Sequence, residues 1–139
     1  EIVGRGGTKL AELWGDEPRA YLGITVPGFP NLFCLYGPGT NLAHAGSIIF
    51  NSECQVRYAV AGIQQLIENG RRTMDCRRSV YDAFNARLIA ALDKLVWSHP
   101  AVSSWYKNRA GRVVNTSPWA LPDYWRWTLR PDPDDYEFG

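Results

Sequence analysis

Residues 31–36, Asn-Leu-Phe-Cys-Leu-Tyr, form an apolar run without alternation, bounded by Pro30 and by Gly37-Pro38-Gly39. A run of this kind predicts a strand buried on both faces, of the sort found in parallel sheets covered by helices. Behind the glycines, Ile49, Val56, Val60, Ile63 and Ile67 recur at helical spacing. They predict a helix from Ser47 or Ile48 to Asn69, closed by Gly70. Strand, glycine turn and helix in that order place free helix N–H groups and a partial positive charge near the turn.

Gly37 and Gly39 let backbone come close to a ligand, and Pro38 stiffens the turn between them. The helix end favours an anion, or a group that becomes anionic during chemistry, and a reduced flavin is such a group. The stretch is neither a GxGxxG fingerprint nor a P-loop, because neither spacing is present and no Lys follows the glycines. On pattern alone, a tight strand-to-helix turn accounts for it about as well as a ligand site does. His44 follows the turn without a Ser/His/Asp or Cys/His set, and a pocket-lining or helix-entry role suits it better than that of a base or metal ligand.

Beyond this unit, residues 72–77 suggest a short strand, and Ser79 with Asp82 matches a capping box. A second helix is expected from there, with Val80, Phe84, Leu88, Leu92 and Leu95 on its apolar face and a stop at Ser98-His99-Pro100. Asn108-Arg109-Ala110-Gly111 reads as the loop of a hairpin. Trp97, Trp105, Tyr106, Trp119, Tyr124, Trp125 and Trp127 crowd the later half, and packing in a small irregular subdomain explains them better than a substrate pocket. Asp132, Asp134 and Asp135 lack the glycine and closing Glu of a calcium loop and read as a solvated tail.

At 139 residues the chain can bury one real core. Its net charge of +1 is spread unevenly, +6 over residues 71–115 and −3 over 116–139, which reads as a solvated basic face beside an acidic tail. Arg71, Arg72, Arg77 and Arg78 cluster without interleaved aromatics, so no nucleic-acid partner is expected. Cys34, Cys54 and Cys76 have no CxxC spacing and read as reduced structural thiols of a cytoplasmic protein. No membrane span or signal peptide is visible, and no metal site is expected.

The run from Ala20 to Leu66, with "YLGITVPGFPNLFCLYGPGTNLAHAGSIIF" at its centre, resembles the C-terminal flavin-contacting segment of the Baeyer–Villiger monooxygenases, nearest to the 4-hydroxyacetophenone monooxygenase type. "LVWSHPAVSSWYKNRAGRV", "SPWALPDYW" and "DPDDY" continue the resemblance to about residue 136. It implies an α/β fold: the last strand, glycine turn and long helix of a Rossmann-like FAD domain (residues 1–70), then a helical and hairpin subdomain rich in aromatics (residues 71–139).

The implied parent enzyme uses FAD and NADPH to insert one oxygen atom from O2 into a ketone or a heteroatom. Gly37, Pro38, Gly39, Thr40, Asn41 and Leu42 would contact the cofactor, and Leu42, Ala43 and His44 would line the substrate side. The two GxGxxG-type fingerprints and the FxGxxxHxxxW motif of these enzymes do not occur here, so no residue is assigned a catalytic role. The expectation is therefore a C-terminal segment, inactive alone, whose partners are the missing FAD and NADPH domains of the same polypeptide. A fragment of this kind would also self-associate through exposed apolar edges. The alternative is a free-standing binding module derived from that fold.

Overall fold

The computed structural model describes residues 1–42 and 46–139. Among the described residues, four α-helices, α1 (Leu10–Trp14), α2 (Ile48–Glu68), α3 (Arg78–Leu92) and α4 (Leu121–Trp127), are joined by irregular segments. The strands are short. β1 (Asn41–Leu42) pairs in parallel with β3 (Thr116–Ser117), and β2 (Met74–Cys76) pairs antiparallel with β4 (Tyr136–Phe138).

The long helix forms where the apolar spacing places it, with the Ser47 hydroxyl accepting from Phe50 N–H and Gly70 in the left-handed region (φ 60) just past its end. Its buried side, however, is not the aliphatic stripe. Asn51, Cys54, Gln55, Tyr58, Gly62 and Leu66 face inward. Ile49, Val56, Val60, Ile63 and Ile67 stay exposed, Ile67 at 74%. The polar groups on the buried side are matched: the Asn51 amide donates to Thr40 C=O at 2.9 Å, and the Gln55 amide donates to the Tyr124 hydroxyl at 2.9 Å. Hydrogen bonds make that face as compatible with burial as an apolar one.

Residues 31–36 form no strand: Asn31 and Tyr36 have positive φ, residues 35 and 36 bend, and neither two-stranded sheet includes the segment. Cys34 N–H reaches Ile24 C=O at 2.8 Å and Tyr36 N–H reaches Gln55 Oε1 at 2.6 Å. Phe33 and Leu35 N–H find no partner among the described residues, and Leu35 is half exposed. The expected burial on both faces is thus absent in this chain, because no described strand lies alongside to form a ladder.

The strand at residues 74–76 forms, and its partner is the tail. Tyr136 is buried between Thr25 and Tyr58, its hydroxyl 3.1 Å from Thr25 Oγ1 and 2.8 Å from the Tyr58 hydroxyl. Asp135 accepts from the Tyr21 hydroxyl at 2.6 Å. This corrects the reading of the three aspartates as a solvated tail: Asp132 and Asp134 are exposed, but Asp135 anchors the turn into β4. The basic and acidic stretches do meet, through Arg77 and Glu137.

Three local readings change as well. Ser79 is not an N-cap: the chain is tied down two residues earlier, where Arg77 N–H donates to Asp135 C=O, so α3 begins at Arg78 and Asp82 pairs with Arg78 on the surface. α3 ends at Leu92 rather than Ser98, because the Ser98 hydroxyl closes on the Leu92 carbonyl at 2.7 Å and a 3-10 turn follows. The hairpin is a single bridge, Lys107 with Val113, its loop held by the Asn108 side chain.

One core takes residues from all these parts: Leu22, Ile24, Tyr58, Met74, Phe84, Leu88, Val113 and Tyr136 among them. A smaller cluster of Leu10, Ala20, Val26 and Phe29 closes the first thirty residues. The aromatics mostly pack, as expected: Trp119 and Trp127 meet edge to face at 5.4 Å with the Arg87 guanidinium over both rings. Among the described residues no helix is long and apolar enough to cross a membrane, and all three cysteines are free.

The core makes two predictions. Tyr136→Phe leaves two buried hydroxyls short of a partner and costs about 1–3 kcal/mol, read from the urea midpoint. Asp75 accepts from Gly28 N–H at 2.9 Å and lies 3.7 Å from Arg5, but burial outweighs both and pushes its carboxyl above the usual carboxylate range. A carboxyl raised on folding binds a proton more readily when folded, so its contribution is most favourable at low pH and is lost as pH rises through the folded value. Asp75→Asn keeps an acceptor for Gly28, so the variant's stability relative to the parent rises between about pH 4 and pH 7. Melting curves across that range check it.

Candidate functional site

The turn after residues 31–36 is built by close backbone packing. A Cβ on Gly37 would lie 2.2 Å from Gly23 C=O, and one on Gly23 would lie 2.0 Å from Thr40 Cγ2. Gly39 has φ 72 and backs onto Leu88. The room left by these glycines is filled by the chain itself. The Thr40 hydroxyl donates to Gly37 C=O at 2.7 Å and closes the turn. Tyr36 enters it at φ 52, a conformation that costs a non-glycine residue of order 1 kcal/mol or more and persists only where its surroundings enforce it. Here the enforcing group is Gln55, fully buried on α2, whose Oε1 holds Tyr36 N–H.

From the turn the chain enters β1, where Asn41 N–H donates to Asn115 C=O at 3.0 Å. The Tyr36 hydroxyl donates to Asn41 Oδ1. This fixes the Asn41 amide with its Nδ2 buried and without a partner among the described residues. A buried amide donor left unpaired is costly, and such groups mark sites completed by something else.

Asn41, Tyr36, Gly37 and Pro38 form one wall of a pocket of ≈ 670 Å³ whose lining is mostly carbon. Trp14 of α1, Cys34, Asn115 and Trp105 are among the residues of its other walls. Trp105 is 71% exposed, its ring tilted against that of Tyr106 at 4.4 Å. Burial raises the Cys34 thiol above its ordinary range, so it stays protonated at neutral pH and is no ready nucleophile.

Of the residues singled out in the sequence, Gly37, Pro38 and Asn41 thus line the pocket. Gly39 and Thr40 are buried. Leu42 is half buried in β1, its side chain close to Gly46. Ala43 and His44 lie outside the described residues. Trp14, Cys34 and Asn115 were not singled out for the site, and nothing in their spacing announces it, because they converge from three separate segments. Trp105 was read as packing and instead stands at the rim. The first turn of α2 is exposed: Ser47, Ile48 and Ile49 all face outward.

The whole chain is similar to one segment of a set of longer enzymes. No family model matches it. It is 40% identical over 137 residues to an uncharacterized monooxygenase of Sinorhizobium fredii, covering 98% of this chain and 21% of the relative. It is 35% identical over 127 residues to a FAD-binding monooxygenase of Aspergillus niger, covering 88% of this chain and 21% of that protein. A Baeyer–Villiger monooxygenase of Pseudomonas aeruginosa is 35% identical over 105 residues, 76% of this chain and 20% of its own. The solved structure of oxidized steroid monooxygenase bound to NADP superposes with a TM-score of 0.82 at 26% identity, over 99% of this chain and 26% of that one.

The mixed helix-and-sheet fold is that of the C-terminal part of such enzymes, and the chain is homologous to that segment of the Baeyer–Villiger group of flavin monooxygenases. It spans about a fifth to a quarter of their length.

Gln55 is the residue on which the turn depends. Gln55→Leu leaves Tyr36 N–H without an acceptor and should cost about 1–3 kcal/mol. Amide exchange at Tyr36 should accelerate more than exchange at Tyr58 in the same helix, which measurement of both amides checks.

Proposed function

We propose that this chain is the C-terminal portion of a FAD- and NADPH-dependent monooxygenase that inserts one oxygen atom from O2 into a ketone, in the Baeyer–Villiger manner, or into a heteroatom. The observation that carries the reading is the Asn41 amide, buried and unpartnered on the wall of an apolar pocket at the glycine turn, in a chain similar from end to end to one segment of such enzymes. Residues 1–70 then belong to the FAD domain and residues 71–139 to a C-terminal subdomain. Free thiols at all three cysteines suit the cytoplasmic setting expected for it.

The residues at the turn fit the role. Gly37, Pro38, Gly39 and Thr40 would shape the backbone that meets the flavin, and Asn41 and Leu42 would be the side chains that contact it. Asn41 lines the pocket, and its unpaired Nδ2 donor would reach a ring nitrogen or carbonyl that gains negative charge on reduction only by a turn of the side chain. FAD, when bound, supplies the oxygen chemistry. The substrate side takes Leu42, Ala43 and His44, and the carbon lining with Trp14 and Trp105 suits a ring-bearing, apolar ketone.

The 139-residue chain alone is expected neither to oxygenate a ketone nor to hold stoichiometric FAD, because one turn and one helix end offer few contacts. Flavin absorbance of the purified chain checks this directly. The reading as a whole is tested on the gene. The frame upstream of Glu1 should continue through two GxGxxG-type fingerprints and an FxGxxxHxxxW motif. The full product should consume NADPH and convert a ketone to an ester or lactone, and Asn41→Leu should lower its kcat about 10²-fold. A frame that closes nearby without those motifs would overturn the enzyme reading and leave a binding module.

A further inference from the structure

The pocket at the glycine turn draws on two segments far apart in sequence, one carrying Trp14 and the other Trp105. Each segment is braced within itself. In the first, Glu17 N–H donates to Trp14 C=O and the Trp14 indole donates to Arg19 C=O, both at 2.8 Å. Trp14 and Glu17 therefore move as one piece. In the second, Lys107 N–H donates to Ser104 C=O at 3.1 Å and Val114 N–H to Tyr106 C=O at 3.2 Å. The Lys107 ammonium gathers the carbonyls of His99 and Val102. Trp105 makes no hydrogen bond of its own among the described residues, so it goes where this segment goes.

One side chain joins the two pieces. Oε1 of Glu17 pairs with Arg112 and accepts from the Asn108 amide at 3.4 Å, while Arg19 holds Oε2 at 2.7 Å. The other polar contacts between the pieces are weaker: Asn108 Nδ2 reaches Asp16 C=O at 3.3 Å, and Arg109 lies 4.0 Å from Asp16 with both side chains exposed. Arg112 is 63% exposed, and an ion pair so open to water adds little to global stability. What the Glu17 contacts supply is a fixed relation between two walls of one cavity.

We propose that Glu17 is a positioning residue: by gripping Arg112 and Asn108 it sets the spacing of Trp14 and Trp105 in the pocket, and so the size of the ring ketone admitted. This rests on the reading above, that the pocket serves a ketone monooxygenase, and adds which side chain limits the substrate. Glu17 does not itself line the pocket. It acts through the two tryptophans, as a supporting side chain behind a binding surface does.

Cys34 reports the spacing. It lines the pocket and is half-buried, whereas Cys54 and Cys76 are buried. In the 139-residue chain, Glu17→Ala should speed alkylation of Cys34 by pyrene maleimide about tenfold, and by the small reagent iodoacetamide less than about twofold, since only access changes. The backbone bonds that fix Trp14 survive this substitution, and the variant should melt within about 2 °C of its parent. Arg112→Ala should have the same effect, and the double variant no more than either alone, the pattern of one coupled pair. In the full product of the gene, Glu17→Ala should raise kcat/KM for cyclododecanone relative to cyclohexanone about tenfold.

Unchanged alkylation of Cys34 overturns the proposal and leaves the monooxygenase reading standing. Equal acceleration at Cys54 and Cys76 also overturns it, because Glu17 then supports the fold at large. So does an unchanged ketone preference in a full product that oxygenates the parent's ketones. If the gene closes upstream without the nucleotide-binding motifs, the reading itself falls and takes the ketone role of Glu17 with it.

Discussion

The hydroxyl of Tyr136 is the point at which the separate parts of this chain are joined. It lies between Thr25 from the irregular first third and Tyr58 from the long helix, while its backbone pairs with Cys76 of β2. Burial drives the hydroxyls of Tyr58 and Tyr136 far above the ordinary phenol range, so they remain neutral donors and acceptors at any physiological pH. Few strands are needed when one buried ring draws loop, helix and sheet together. The first third has almost no regular structure of its own, and its order depends on being fastened here, at Asp75 through Gly28, and at Asp135 through Tyr21.

The same economy explains how the candidate site is held. A long side chain on a helix, Gln55, reaches the N–H of a residue in a strained conformation. The next turn of the helix toward its start sends Asn51 to the carbonyl of Thr40. The helix therefore acts on the turn through side chains that sequence reading would assign to a solvated face. What the turn gains is a fixed orientation of the Asn41 amide, set by the Tyr36 hydroxyl. Gln55 accepts from the turn and Asn51 donates to it, so the helix holds the turn from both sides of the hydrogen-bond exchange.

Much of this was legible and some was not, for identifiable reasons. The extent of α2, the short strand at residues 74–76 and the hairpin loop follow from periodicity and turn chemistry, which are local. The inward face of α2 was hidden, because the strongest periodic signal in the helix belongs to Val56, Val60, Ile63 and Ile67, on its exposed side. Hydrophobic spacing shows that a helix has an apolar stripe, but does not tell which side of the helix its own chain buries. Ser79 and Asp82 matched a cap in pattern, but a tertiary hydrogen bond from Arg77 to Asp135 moved the start of α3. Gly37, Pro38 and Asn41 were found because the turn is contiguous. Trp14 and Asn115 were not, because a wall assembled from distant segments leaves no spacing to read.

The pairing of β2 with β4 also sets the order in which the chain can close. Met74 meets Phe138, and the N–H groups of Arg72 and Thr73 both donate to the carbonyl of Gly139. Everything between, including α3, the hairpin and α4, must be made before that ladder exists. Contacts so far apart in sequence form late, after the loop-closure entropy has been met. A nascent chain that has already finished α2 and α3 therefore carries an unsealed core until residues 136–139 emerge. Tyr58 and Met74 lack the tail that covers them for that interval, and a ribosome that pauses within residues 93–135 prolongs it.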